Sequence, residues 1–212
     1  MVLLVRKLVL FFIIGLLFVP TAVGARDLFD AGLSVSGVYD TRGATDSEDF
    51  FQGMGNGDNW TIGVGVHARL SIVNLSILAI LPNGASGGYV EILALRPSLT
   101  FDIPLVTDRL YLHLGGGLST DFSYEEGLEG GTDTHINGLP LESISFGNAV
   151  MSSRIHAKIG LDVLIGTAKL GIFYMHETAA SLESLSDGSG WAQLEQTRPD
   201  SKIGVMLQLA LF

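Results

Sequence analysis

The sequence predicts an all-β protein, an eight-stranded antiparallel transmembrane β-barrel, and three observations carry that prediction. Amphipathic segments with a period of two recur eight times across the last 184 or so residues. Their connections alternate between long and short. After residue 25 no apolar run reaches the roughly 18 residues a membrane helix needs. A closed antiparallel barrel with an apolar outside is the one β-structure that satisfies its backbone in lipid. Such barrels keep short turns on the periplasmic side and long loops outside the cell, so the rhythm of the connections also predicts orientation.

The chain opens with a predicted secretory signal over residues 1–25. Arg6 and Lys7 form its positive region, Leu8 to Phe18 its apolar stretch, and Val23-Gly24-Ala25 a small-residue cleavage site before Arg26. An uncleaved membrane helix is the alternative, but Pro20 and the small residues close the segment too early to span. Residues 26–212, about 187 in number, are then the barrel. There is no cysteine, which excludes disulfides, thiolate catalysis and thiolate metal sites. The net charge of −10 becomes −12 without Arg6 and Lys7, so nucleic acid is not an expected partner.

The first strand is predicted near 29–39, with Phe29, Ala31, Leu33, Val35 and Tyr39 on one face. The second, near 60–72, has the strictest pattern: Ile62, Val64, Val66, Ala68, Leu70 and Ile72 alternate with Thr61, Gly63, Gly65, His67, Arg69 and Ser71. The third, near 75–81, is apolar on both faces, which leaves its phase open. The fourth, near 89–101, contains Pro97, where a bulge or local break is expected because proline removes a ladder donor. The fifth, near 110–122, points Leu110, Leu112, Leu114 and Leu118 outward and Tyr111, His113, Ser119 and Asp121 inward. The sixth, near 152–164, alternates Ile155, Ala157, Ile159, Leu161 and Val163 with Arg154, His156, Lys158, Gly160 and Asp162. The seventh, near 168–177, and the eighth, near 202–212, follow the same rule, with Leu170, Ile172 and Tyr174 and then Ile203, Val205, Leu207, Leu209 and Leu211 outward. Long connections fall near 40–59, 82–88, 123–150 and 178–201, and short ones near 73–74, 102–109 and 165–167. Trp60, Tyr89, Phe122 and Tyr174 then mark one interface, and Phe29 and Phe101 the other. A soluble lipocalin-like barrel is the competing fold, and it would turn its polar face out.

This phase sends His67, Arg69, Arg96, His113, Arg154, His156 and Lys158 into the lumen, because charge on the lipid face at mid-height is too costly. Two readings stay open. The residues form a polar network that fills a narrow barrel, since eight strands leave little room beyond side chains. Or they form an electropositive constriction for anionic or amphipathic solutes. Metal binding by His67, His113 and His156 is an alternative, but the sequence does not give their geometry, so no metal and no cofactor are expected. The loops hold most of the acid, including Asp46, Glu48, Asp49, Glu125, Glu126, Glu183 and Asp187, in no calcium-loop pattern. They also hold unexplained apolar residues: Phe50, Phe51 and Met54, then Leu139, Leu141, Ile144 and Phe146, then Leu182, Leu185, Trp191 and Leu194. So many in water would have to pack together, as an extended β-rim with a hydrophobic mouth and short helical pieces such as 180–185. No sequence signal pairs a serine with a histidine and carboxylate, so no enzyme is expected.

Several segments, in order, resemble the OmpW family of eight-stranded outer-membrane proteins. Residues 74–82 (NLSILAILP) look like its proline-ended third strand, and 95–101 (LRPSLTF) like its proline-containing fourth. Residues 112–118 (LHLGGGL) are similar to its glycine-rich fifth strand, 159–165 (IGLDVLI) to its sixth with a Gly-x-Asp core, and Phe173-Tyr174-Met175 to its seventh. Phe212 departs from the pattern, because the family ends in a lipid-facing Phe whereas alternation here sends Leu207, Leu209 and Leu211 outward. The resemblance implies an outer-membrane location, a narrow channel with a hydrophobic inner surface near the mouth, and uptake of small hydrophobic molecules with lateral exit through the wall. On that basis a solute would touch Trp191, Phe51 and Leu139 at the mouth and leave beside Pro97. Outer-membrane lipid and the barrel-assembly machinery would be the partners. The competing function is a non-transporting surface barrel whose acidic loops bind a host or envelope partner.

Overall fold

The computed structural model of the protein describes residues 29–41, 47–82, 85–86, 89–107, 109–126, 132–194 and 201–211. The signal segment 1–25, the boundary at residue 26 and the terminal Phe212 lie outside them. Eight long strands form the barrel: β1 (Phe29–Asp40), β2 (Trp60–Leu70), β3 (Val73–Leu81), β4 (Tyr89–Val106), β5 (Leu110–Glu126), β6 (Arg154–Ile165), β7 (Ala168–Ser181) and β8 (Lys202–Ala210). Each pairs antiparallel with its sequence neighbour, and β1 pairs with β8 from Gly32↔Ala210 to Asp40↔Lys202, which closes the sheet. No strand edge of the barrel wall is left for another chain.

The predicted phase holds along the wall. In β2 the residues Ile62, Val64, Val66, Ala68 and Leu70 are exposed, while Gly63, His67 and Arg69 are buried. The same alternation runs through β6, β7 and β8. The outside is therefore an apolar band and the inside is polar, the reverse of a soluble lipocalin-like barrel and the arrangement of a lipid-spanning one. β3 resolves with Leu75, Ile77 and Leu81 outward and Asn74, Leu78 and Ile80 buried inside.

Strand ends differ from the predicted ones where turn geometry, not hydropathy, sets them. β2 stops at Leu70 because Ser71, at φ 57°, turns the chain, so β3 begins at Val73 and the short turn is 71–72. β4 runs on through Pro104 to Val106 and carries two register shifts, between Glu91 and Leu93 and between Pro104 and Val106. At Pro97 there is a break and no bulge: the β4–β5 ladder passes from Leu95↔Thr120 to Ser98↔Gly117 with its register kept. Opposite this break, a Cβ on Gly117 would overlap the Pro97 carbonyl, and one on Gly115 the Leu99 carbonyl. Glycine is what lets the two strands approach so closely, as barrel curvature demands.

Long loops crowd one end. The first carries helix α1 (Ser47–Gly55). The third extends the sheet, as expected for a β-rim: Thr132–Ile136 pairs with the head of β5, then turns back at Asn137 and Gly138, both at positive φ, into Leu139–Pro140. Helix α2 (Phe146–Ser152) follows, capped by the Ser145 hydroxyl accepting from the Asn148 N–H. In the fourth loop α3 (Leu182–Ser186) begins with a reciprocal Ser181–Ser184 capping box, close to the predicted helical piece.

Candidate functional site

The lumen is filled by three sets of side chains. Towards the long-loop end lies an ionic layer. Arg96, 2 % exposed, donates from Nε to Glu177 Oε1 at 2.7 Å and places Nη2 2.8 Å from Asp121. Arg154 also binds Asp121 and stands 3.5 Å from Glu177. Lys202 bonds Asp40 at 2.9 Å and comes within 3.9 Å of Glu177. Glu177, fully buried, is thus shared among three cations.

Beside that layer lies an apolar cluster: Val38, Leu78, Ile80 and Ala94 meet Phe173, Met175 and Met206, with Ala94 opposite Asp121 and Met175 opposite Lys202 in the ladder. Lys158 sets its ammonium 5.1 Å from the centre of the Phe173 ring, a desolvated cation–π contact. His156 is held between two hydroxyls, with Ser119 Oγ 3.1 Å from Nδ1 and Ser98 Oγ 3.0 Å from Nε2. Serine and histidine meet here at hydrogen-bond distance inside the barrel, as Ser201 and His176 do at 3.4 Å near the long-loop end. His156 is buried, and both its ring nitrogens face hydroxyls, whereas a triad needs a carboxylate on one of them.

Towards the short turns lies a second polar layer. Asp30 gathers Lys169 (2.8 Å), His67 (3.3 Å) and Arg69 (3.6 Å). Asp162 meets His113 Nδ1 at 3.3 Å, and Asn74 donates to Asp102 at 3.3 Å. Arg69 lies over the Tyr111 ring. Glycine makes the room: a Cβ on Gly160 would overlap the His113 ring, and one on Gly171 the Asp162 carboxyl.

All seven residues expected in the lumen are there, and the structure sorts them. Arg96 and Arg154 share one layer, His67, Arg69 and His113 the other, and His156 and Lys158 lie between. Of the two readings left open, the polar network that fills the barrel fits the charges better than an electropositive constriction. Among the described residues, Arg69, Arg96, Arg154, Lys158, Lys169 and Lys202 face Asp30, Asp40, Asp102, Asp121, Asp162 and Glu177, so the lumen is balanced in charge. Glu177, Lys169 and Lys202 are the residues sequence reasoning passed over. Each sits on the inward phase of its strand, so the rule that found His67 would have found them too. No group of three or more His, Cys, Asp or Glu able to hold a metal occurs among the described residues.

The three expected mouth residues belong to three different loops. Leu139 ends the rim hairpin, partly exposed, and Trp191 is exposed in the turn after α3. Phe51 belongs to the outer wall, because α1 packs on Tyr39, an outward-phase residue of β1. Pro97 lines a groove of about 530 Å³ on the outer wall with Val66, Ala68, Leu75, Ile77, Leu99 and Gly116. Gly116 has no side chain to fill it, and the groove lies over the break in the β4–β5 ladder.

No family model matches the chain, and no curated protein matches it. Among solved structures, the chain is similar to the N-terminal β-barrel domain of Pseudomonas aeruginosa OprF, with TM-score 0.51 and 8% identity over 86% of this chain and 97% of that one. It is also similar to Neisserial surface protein A (NspA), with TM-score 0.46 and 7% identity over 85% and 96%. The first likeness shows the fold, that of a small outer-membrane β-barrel. The OmpW resemblance rests on the ordered motifs alone.

Proposed function

We propose that the protein resides in the outer membrane of a diderm bacterium, with its long loops outside. We propose further that it binds small hydrophobic or amphipathic solutes and passes them at its wall. The observation that carries the second reading is the apolar groove of about 530 Å³ at Pro97. Its size is that of a small-molecule site, and its outer lining is apolar, with His67, Ser76 and Ser98 on the inward side of the same strands. The axial route is unfavourable for an apolar molecule, which would have to displace Arg96, Arg154 and Glu177 from their ion pairs. A solute arriving at the long-loop end near Trp191 and Leu139 would instead be handed to the wall and the surrounding lipid.

Uptake of a small fluorescent hydrocarbon into liposomes tests this. Ala68→Phe, which fills the groove from the lipid side, should cut uptake on the order of tenfold, the effect of about 1.4 kcal/mol of overpacking. Pro97→Val should slow release while the barrel stays folded. Arg154→Ala should change ionic conductance more than apolar uptake. The filled lumen favours a second reading, in which the barrel is an anchor and the acidic loops bind a host or envelope partner. If neither Ala68→Phe nor Pro97→Val alters uptake, that reading replaces the first. Tags at Gly57 and Gly188 should be reachable on intact cells and one at Gly166 hidden, and the opposite labelling would reject the orientation.

A further inference from the structure

Tyr39 stands on the outward phase of β1 yet is only 4% exposed. What covers it is α1. Phe50 meets the Tyr39 ring edge-on with centroids 5.8 Å apart, and Trp60 lies beside it at 5.9 Å. The Trp60 indole N–H donates to the Met54 carbonyl at 2.8 Å, and the Asn59 side chain donates to the Gly53 carbonyl at 2.9 Å. A Cβ on Gly53 would overlap the Tyr39 hydroxyl, so the helix sits directly on that ring. Residues 47–59 of the first loop therefore lie against the outer wall, with α1 fastened at the head of β1 and β2.

The helix has two sides. Phe50, Phe51 and Met54 share one by helical spacing, and Glu48, Asp49 and Gln52 share the other, where Gln52 donates to Glu48 at 3.2 Å. Phe50 is spent on Tyr39. Phe51 packs edge-on against Phe50 at 5.2 Å and remains 65% exposed. That exposed ring continues the apolar wall below it, where Val35, Ile62 and Val64 are exposed on the same two strands.

We propose that α1 is an interfacial anchor: it lies in the headgroup region of the leaflet at the long-loop end and sinks Phe51 into the top of the acyl chains. The occupant of its apolar side is lipid. Continuity with the lipid-facing wall argues for this, as does the Tyr39–Trp60 pair beneath it, since aromatic rings girdle such barrels at the interface. An amphipathic helix with a polar outer side lies in that plane. A second copy of the chain is the poorer occupant, because one short helix offers far less than the roughly 800 Å² per partner of a stable interface. The anchor is independent of any solute: it fixes the depth and tilt of the barrel at β1–β2.

The absence of cysteine makes the test direct. Single cysteines replace Phe51 or Gln52 in the whole barrel, are labelled with an environment-sensitive dye, and are studied in phosphatidylethanolamine–phosphatidylglycerol vesicles. Retained heat-modifiable mobility confirms that each variant is folded. Position 51 should give blue-shifted emission, quenched by lipid carrying a spin label near the top of its acyl chain and insensitive to aqueous iodide. Position 52 should show the reverse. Equal quenching of both by iodide would place α1 in water and overturn the proposal. Shielding of position 51 from both quenchers would mean protein covers it, and would overturn it equally.

Discussion

The two polar layers of the lumen are built from the same kinds of residue and bonded differently. In the long-loop layer, among the described residues, Glu177 Oε2 lacks a hydrogen-bond partner, with the Arg154 guanidinium 3.5 Å away, and the other carboxylate contacts are direct. Glu177 serves Arg96, Arg154 and Lys202, Asp121 serves Arg96 and Arg154, and Asp40 serves Lys202. In the short-turn layer six buried polar atoms lack a hydrogen-bond partner among the described residues: His67 Nδ1, Arg69 Nε, Asn74 Oδ1, Asp102 Oδ1, His113 Nε2 and Asp162 Oδ1. Buried polar groups without protein partners are satisfied by ordered water. Composition alone therefore does not decide whether a polar lumen is a lock or a hydrated chamber; the matching of donors to acceptors does. The first layer ties β4, β5, β6, β7 and β8 together with direct ion pairs. The second leaves more of its donors and acceptors unmatched by protein, which is where water is expected to enter.

This difference sets an order of effects. Glu177→Ala should be the most damaging single change, since it leaves Arg96 and Arg154 short of a partner in a dry environment. A loss of about 3–5 kcal/mol is expected, read as a lower urea midpoint for the barrel in vesicles. Asp30→Asn strips the carboxylate from Lys169, His67 and Arg69 but does so where water can compensate. Its expected cost is about 1–3 kcal/mol. Should Asp30→Asn cost as much as Glu177→Ala in the same titration, the two layers are equally dry and the distinction falls.

Much of this was legible in the sequence, because a lipid-facing wall imposes a period of two that a reader can follow without contacts. β2, β6 and β8 read correctly to within two residues, and the seven lumen residues followed from phase. What failed had specific physical causes. The inward Leu78 and Ile80 of β3 are apolar because they join Phe173 and Met206 in the apolar cluster, so hydropathy could not show which face was which. The Asn137-Gly138 pair, a strong two-residue hairpin signal, sat inside a long acidic loop and went unread. Phe51 was sent to the mouth because loop residues carry no phase. Only the packing of Phe50 on Tyr39 shows which side of the wall they take. The charge balance was missed for a simpler reason: Asp102 fell in a predicted connection and Glu177 at the end of a predicted strand, so neither was placed in the lumen.

The smallest effect belongs to Asn74→Ala. Asn74 gives Asp102 a single long hydrogen bond of 3.3 Å, and its own Oδ1 has no partner among the described residues. In a dry site, removing that donor would strand the Asp102 carboxylate, which has a second buried oxygen without a partner, and would cost the full desolvation of a charged group. In a hydrated layer, water takes the donor's place and also occupies the space the side chain leaves. The net loss should then stay at about 0.5–1 kcal/mol, close to the resolution of a urea titration and well below Asp30→Asn. The same substitution should speed hydrogen exchange at the Asp102 N–H, which bonds the Ile72 carbonyl at the edge of the short turn. A loss comparable to that of Glu177→Ala, with exchange at Asp102 unchanged, would mean the short-turn layer excludes water as completely as the long-loop one.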